Sequence, residues 1–300
     1  MPLSSIVLSD NRTYGTVARQ QKAGHREETV RIESHMRGEI FCHCYPAADP
    51  RYALLISHGI GGHGGIYDIF CERMAELGAD VWSYDAPGHG RSTTTRPRGQ
   101  WTLDEWVKAG TSYAEHIAGE YGHTVFALGS SLGGGAAYGT LAATDTVKGG
   151  IFMGTVSIPE ALPDNPAASP QVAAVLKRFG RSARLGIAML VDFDEDYGYA
   201  GAAEQKRLDP YNTWSYDLAS MLSMGTCAPR VSIGDNKKLV LFAVGEKDPF
   251  APPARVLELK NRFGGPATNK MFEGASNQLM LFHTNVFSTL VHEWCLSHLR

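Results

Sequence analysis

The chain has 300 residues, of which 43% are hydrophobic, 20% charged and 10% aromatic. These proportions fit a folded globular protein and exclude a disordered polyelectrolyte, a collagen-like repeat or a disulfide-stapled miniprotein. With 28 basic against 31 acidic residues the formal charge is −3, so no basic footprint points to nucleic acid. Thirty-three glycines, several of them bunched, mark backbone that must turn sharply or approach a ligand closely.

Residues 1–28 are polar and weakly patterned, an arm or an edge element. The first fifteen lack a basic n-region and are expected not to form a signal peptide. Alternation over Thr29–Ile32 and Glu39–His43 predicts a β-hairpin. Ala53–Ser57 is a short continuous apolar run, as in a strand buried on both faces. A helix follows over Tyr67–Leu77, then a strand at Val81–Tyr84. Leu103, Trp106, Val107, Tyr113, Ala114 and Ile117 recur at helical spacing. Thr124–Leu128 reads as a strand, Leu132–Ala143 as a helix and Gly150–Met153 as a strand. Between about 155 and 235 the rhythm breaks: prolines at 159, 163, 166 and 170 lead into helical patterning without clear strands. Alternation resumes at Leu239–Val244, Ala254–Phe263, Lys270–Phe272 and a last helix over 285–299. The pattern predicts one α/β domain spanning 1–300, a mostly parallel sheet with helices on both faces. The stretch 155–235 is then an inserted cap over the carboxyl edge of the sheet, where such folds bind ligands.

Five cysteines are an odd number without zinc-type spacing, which reads as free thiols in a reducing compartment, the cytoplasm by default. No apolar run approaches the ~20 residues needed to cross a bilayer.

The strongest chemical signal is Gly129-Ser130-Ser131-Leu132-Gly133, a G-x-S-x-G between a predicted strand and a predicted helix. In that context it is a nucleophile elbow, with Ser131 projecting at the top of the sheet and the Leu132 N–H as one oxyanion donor. A Gly/Ser-rich helix cap is the plainer alternative. His58-Gly59-Ile60-Gly61-Gly62-His63-Gly64-Gly65 follows the Ala53–Ser57 strand, where a flexible turn supplies the second oxyanion N–H, assigned to Ile60. A phosphate loop would need G-x-x-x-x-G-K-[ST], which is absent.

HGIGGHGGIY, YDAPGHGRS and GSSLGG together resemble the serine hydrolases of the α/β-hydrolase fold, in particular the monoacylglycerol lipase and lysophospholipase-like esterases. The resemblance covers roughly residues 30–155 and 238–297. It implies hydrolysis of a small carboxylic ester through an acyl-enzyme, with no metal or organic cofactor. It implies an acid after a late strand, where Asp248 stands, with Glu246 as runner-up. It also implies a histidine in a segment similar to EGAxH, but Glu273-Gly274-Ala275-Ser276-Asn277 places Asn277 there. A carboxamide cannot accept and return a proton at neutral pH. Three explanations compete: an engineered His→Asn substitution, relocation of the base to His283, or a natural non-catalytic, ligand-binding relative. Engineering is the economical reading, because one change accounts for the mismatch. C–C or thioester cleavage by the same machinery stays open. Oligomeric state is not legible.

Weaker constellations have plainer readings. His58 and His63 could ligate a metal, but no carboxylate or cysteine joins them at ligand spacing. In Cys42-His43-Cys44 the cysteines face one side of a strand, which argues for packing, and His89 fixes a loop. Asp192, Asp194, Glu195 and Asp196 read as a solvated acidic loop. Phe193, Tyr197, Tyr199, Tyr211, Trp214, Tyr216, Met221 and Met224 could roof an acyl pocket or form the cap's own core. Among these Trp214 and Met221, with Gly59 below, are the substrate-binding candidates. Lys177, Arg178, Arg181 and Arg184 form a basic face, solvated or receptive to an anionic ester or a lipid surface.

Overall fold

The computed structural model describes residues 4–6, 26–33, 37–92, 97–155, 157, 158, 174, 180 and 183–299. Among these, strands β1 (Ser4–Ile6), β2 (Arg26–Glu33), β3 (Arg37–Tyr45), β4 (Tyr52–Ser57), β5 (Ala79–Tyr84), β6 (Val125–Ser130), β7 (Val147–Met153), β10 (Leu239–Gly245) and β11 (Ala267–Phe272) form one sheet in the order β1-β11-β10-β7-β6-β4-β5-β3-β2. From β1 to β5 every neighbour is parallel; β3 runs antiparallel to β5, and β2 antiparallel to β3. The predicted hairpin is therefore the far edge, with Thr29 opposite Phe41 and Ile32 opposite Gly38. The polar arm contributes an edge strand at the other end, Ser4–Ile6 beside Lys270–Phe272.

The central strands read as continuous apolar runs because both faces are covered: every residue of β4, β5 and β6 is buried. Helix α1 (Asp68–Glu76) packs with the last helix, α9 (Thr284–Ser297), Phe70 stacking on Phe287 at 5.5 Å. Helices α2 (Leu103–Tyr121) and α3 (Gly133–Ala143) pack together, and α7 (Pro253–Arg262) connects β10 to β11. Helix α2 begins where Thr102 accepts a hydrogen bond from the Glu105 N–H at 3.2 Å and stops at Gly122 in the left-handed region. Its buried face, Leu103, Trp106, Ala109, Gly110, Tyr113, Ala114 and Ile117, contains the predicted apolar stripe except for Val107, which is half-buried.

Within 155–235 the patterning without clear strands needs correction. Two short strands, β8 (Arg184–Gly186) and β9 (Ser215–Asp217), pair antiparallel. They are too short and too exposed at β8 to carry an alternation that sequence could show. Around them lie α4 (Phe193–Tyr197), α5 (Ala202–Arg207) and α6 (Leu218–Thr226). The acidic run is likewise not a solvated loop. Asp192 caps α4 by accepting from the N–H groups of Asp194 and Glu195, Asp194 accepts from Gly201 and Ala203, and Asp196 is buried. The prolines at 159, 163, 166 and 170, and Lys177, Arg178 and Arg181, lie outside the described residues. Arg184 is engaged, its guanidinium donating to the carbonyls of Arg98 and Ser215. A short helix α8 (Leu279–Phe282) precedes α9. No helix among the described residues is long and apolar enough to cross a membrane.

Candidate active site

Strand β6 ends at Ser130, and Ser131 turns the chain into α3 with φ +48°, the one non-glycine among the described residues with positive φ. Such a conformation costs on the order of 1–3 kcal/mol and persists only where the surroundings enforce it. Here the Ser131 N–H donates to Met153 O at 2.8 Å, while its carbonyl accepts from the Gly134 N–H at 3.0 Å and from Thr155 Oγ1 at 2.8 Å. Gly133 must lack a side chain, because a Cβ there would lie 2.2 Å from His58 O. The elbow and the 58–65 turn are thereby pressed together, and the Cβ position of Gly59 lies 3.6 Å from Ser131 Cβ. Among the described residues neither the Ile60 nor the Leu132 N–H has a hydrogen-bond partner.

The turn is fastened by histidines. His58 Nδ1 donates to Gly59 O at 2.9 Å and its Nε2 accepts from the Ala86 N–H at 3.1 Å. His89 Nδ1 donates to Pro87 O at 3.0 Å and its Nε2 accepts from the Tyr216 hydroxyl, which itself accepts from the Gly61 N–H at 2.7 Å. Burial, aided by each other's proximity in the case of His58, pushes both imidazoles toward the neutral form, His89 down to about 3. Both are structural in this arrangement, as expected.

His63 has partners that sequence spacing hides. Its Nε2 lies 2.7 Å from Asp209 Oδ2, contributed by the segment after α5, and its Nδ1 lies 4.0 Å from Asp85 Oδ1. Burial raises the Asp209 carboxyl, but the hydrogen bond and charge of His63 outweigh it and hold the group low. His43, His63 and Asp85 offer ligand atoms within 4.8 Å of one another, so a carboxylate does meet His63 in space, with His43 and not His58 as the second histidine. Those atoms already serve the turn: His63 Nδ1 accepts from the Gly65 N–H, and Asp85 accepts from the N–H groups of Gly64 and Arg91.

Asp248 sits in the turn after β10. Its Oδ1 accepts from the N–H groups of Phe250 (2.9 Å) and Ala251 (2.8 Å), and its Oδ2 from Asn277 Nδ2 at 2.7 Å. Burial pushes its pKa up despite these bonds. Asn277 is completely buried; its Nδ2 also donates to Gly154 O at 3.2 Å, and its Oδ1 accepts from Gln278 Nε2 at 2.7 Å. Gly154, which sequence reading did not single out, is the bridge to the elbow. It adopts φ +55° between Met153 and Thr155, which hold Ser131, and a Cβ on it would lie 2.3 Å from Asn277 Nδ2. Glu246 is exposed and turned away, accepting from the Gly274 N–H at 2.8 Å. His283 lies at the junction of α8 and α9, its N–H on Leu279 O and its carbonyl on the Phe287 N–H, while Asp248 receives Asn277.

Of the cap residues, Phe193, Tyr197 and Tyr216 are buried in the same core as the sheet, Tyr216 against His89 and Trp101 and Tyr197 against Phe282; Trp214 and Met221 are partly buried against that core. Trp214 stacks edge-on against Phe193 at 5.7 Å and follows Thr213, whose N–H donates to Gly61 O at 2.9 Å. Met221 is carried on α6, whose Ser220 and Ser223 hydroxyls receive the N–H groups of Trp101 and Leu103. Among the described residues neither has a hydrogen bond or ring contact with Ser131. Sequence reading also missed Lys206, Asp209 and Gln278 and took Asp196 for part of a solvated loop; all four are buried polar residues. Lys206 Nζ donates to Asn212 Oδ1 at 3.4 Å and lies 5.0 Å from the Phe193 ring, and burial pushes its pKa down to about 8.

A mostly parallel sheet whose sixth strand turns through a left-handed serine into a helix defines an α/β-hydrolase. The serine aminopeptidase S33 family model matches residues 48–281, and the chain belongs to that family. It is 36% identical over 111 residues to a monoglyceride lipase homolog of monkeypox virus, covering 35% of this chain and 38% of that protein. To human monoglyceride lipase it is 30% identical over 129 residues, 42% of this chain and 41% of the relative. The chain thus aligns with well under two thirds of these relatives' length. A monoacylglycerol lipase structure from Paleococcus ferrophilus superposes with a TM-score of 0.69 at 24% identity, over 86% of this chain and 99% of that one. A thermostable carboxyl esterase from Bacillus coagulans gives 0.76 at 16% identity, over 91% and 99%. At these identities the superpositions establish the fold.

Proposed function

We propose that this chain is a serine hydrolase of small carboxylic esters, of the monoacylglycerol kind, whose general base is missing. The observation that carries the reading is the left-handed Ser131, locked by residues 153–155 to the buried Asp248–Asn277 pair. Ser131 Oγ is the nucleophile, and the N–H groups of Ile60 and Leu132, without a partner among the described residues, receive the developing oxyanion. That attack gives a tetrahedral adduct, whose collapse breaks the ester C–O bond, releases the alcohol and leaves an acyl-enzyme; water then releases the acid and restores the serine hydroxyl. Gly59 borders the serine, and Trp214 and Met221 belong to the cap at 155–235 that covers the substrate. The free cysteines suit a reducing compartment such as the cytoplasm.

Asn277 reproduces half of an imidazole. Its Nδ2 donates to Asp248 as a histidine Nδ1–H would, but its Oδ1 is taken by Gln278 and is not basic. Losing the base of a serine triad costs on the order of 10⁶ in turnover, by analogy with subtilisin. Asn277→His is expected to raise hydrolysis of short-chain and monoacylglycerol esters by several orders of magnitude. No gain in Asn277→His, together with activity abolished by His283→Ala, would overturn this assignment. A second reading, a ligand-binding protein without turnover, is favoured by the complete hydrogen bonding of the Asn277 carboxamide. It predicts that Asn277→His destabilises the chain without creating activity.

A further inference from the structure

The side chain at position 277 is held from two directions. Asp248 approaches from the sheet, and on the other side Gln278 Nε2 reaches both Asn277 Oδ1 at 2.7 Å and Asp196 Oδ2 at 3.2 Å. Asp196 belongs to α4 of the cap, and α4 is fastened to the same loop by its main chain. Ser276 Oγ donates to Asp196 O at 2.8 Å and Glu195 O at 3.1 Å, and the Asn277 N–H to Asp196 O at 3.3 Å. Asp196, Asn277 and Gln278 are each buried, at 4%, 0% and 6% exposure, so these bonds are not diluted by water.

We propose that Asp196 and Gln278 form a cap-borne clamp that orients the side chain at position 277 opposite Asp248, which makes Asp196 a positioning residue for the base slot of the site. The proposal rests on reading position 277 as that slot. Its physical content is that cap and slot move as one unit. An amide donor anchored on a carboxylate fixes the Gln278 rotamer, and Gln278 in turn fixes which end of the 277 side chain faces Asp248. Were the cap helix to move, the slot would lose its second anchor while keeping the first.

The groups facing Asp196 are Asp248 from the β10 turn, Lys206 from α5 and Tyr67 from the segment before α1. Burial first, and then the charge of Asp248, push the Asp196 carboxyl up to about 7. Gln278 therefore faces an anion above neutrality and a neutral acid below it.

The test uses the side-chain amide resonances of Asn277 and Gln278 in the full chain, assigned by comparison with Gln278→Ala and followed from pH 5 to 9. The clamp requires both amides to shift with one common midpoint and Asp196→Asn to remove that midpoint from both. Asn277 resonances that stay fixed with pH while the chain remains folded would overturn it. Should Asp196→Asn fail to fold, the titration of the unaltered chain decides alone. In the Asn277→His protein, Asp196→Ala, which removes the acceptor of Gln278 Nε2, is expected to lower kcat about ten- to a hundredfold with KM little changed, the cost of a misplaced reacting group. Asp196→Asn, which keeps an acceptor, should recover part of that loss. An unchanged kcat in Asp196→Ala would also overturn the clamp. If Asn277→His has no esterase activity at all, the hydrolase reading fails, and the amide titration still judges the clamp.

Discussion

Replacing Asp196 by asparagine should make the protein more stable at alkaline pH and leave it unchanged at acid pH. In the unfolded chain the carboxyl ionises near 3.8, whereas in the fold burial and the neighbouring Asp248 raise it to about 7. A raised acid contributes stability that is fully present below the unfolded value and lost as pH climbs through the folded one. Unfolding releases a proton in that window, so stability falls by up to about 1.4 kcal/mol per pH unit. Across the interval from 3.8 to about 7 the loss sums to roughly 4 kcal/mol, a ceiling for a group 4% exposed. Asparagine keeps the shape and a carbonyl acceptor for Gln278 but never ionises. Urea unfolding followed by tryptophan fluorescence at pH 4.5, 6, 7 and 8.5 should show the two proteins converging at the lowest pH. The variant's midpoint should then move progressively above the parent's. A difference that stays constant across this range would show that Asp196 is ionised throughout, and the reasoning from burial would fail. A carboxylate that weakens the fold near neutral pH, at a site bonded to Gln278, is the expected signature of a residue retained for positioning.

Other substitutions probe separate parts of the structure. Ser131→Gly should relieve the left-handed strain and raise the unfolding free energy by about 1–2 kcal/mol and, made in the Asn277→His protein, should abolish labelling by a fluorophosphonate probe; lower stability would contradict the strained elbow. Gly133→Ala would drive a methyl to 2.2 Å from the backbone carbonyl of His58 and should cost at least 1–3 kcal/mol, read from the urea midpoint. Thr102→Ala removes the side-chain acceptor that starts α2 and should cost about 1 kcal/mol by the same measurement. Asp209→Asn should weaken the fastening of the 58–65 turn to the cap, seen as faster amide exchange at Gly61, Gly64 and Gly65, because the carboxylate that accepts from His63 Nε2 is lost.

Much of the fold was legible because it is written in local spacing. Short continuous apolar runs such as Leu54–Ile56 read as strands covered on both faces, and the period of α2 reads as an amphipathic helix. The elbow was legible for the same reason: strand, G-x-S-x-G and helix are contiguous, and the backbone geometry at Ser131 follows from them. The 58–65 turn and the Asp248 segment could be named because of their order along a family-like pattern, not because their residues are chemically unusual.

What local spacing could not carry is the pairing of residues far apart in the chain. Asn277 meets Asp248 across 29 positions, His63 meets Asp209 across 146, and Gln278 meets Asp196 across 82. Nothing in the acidic run 192–196 distinguishes Asp196 from its exposed neighbours. Only the docking of α4 against the loop at 274–278 removes it from water and turns an ordinary aspartate into a buried acid. Lys206 is the same case on α5. The amino-acid sequence by itself determined where the chain bends, which faces must be buried and which serine stands on the elbow, since these depend on neighbours within a few residues. Tertiary structure alone decided which polar groups lose their water and find one another, because desolvation and hydrogen-bond partnership belong to the assembled interior.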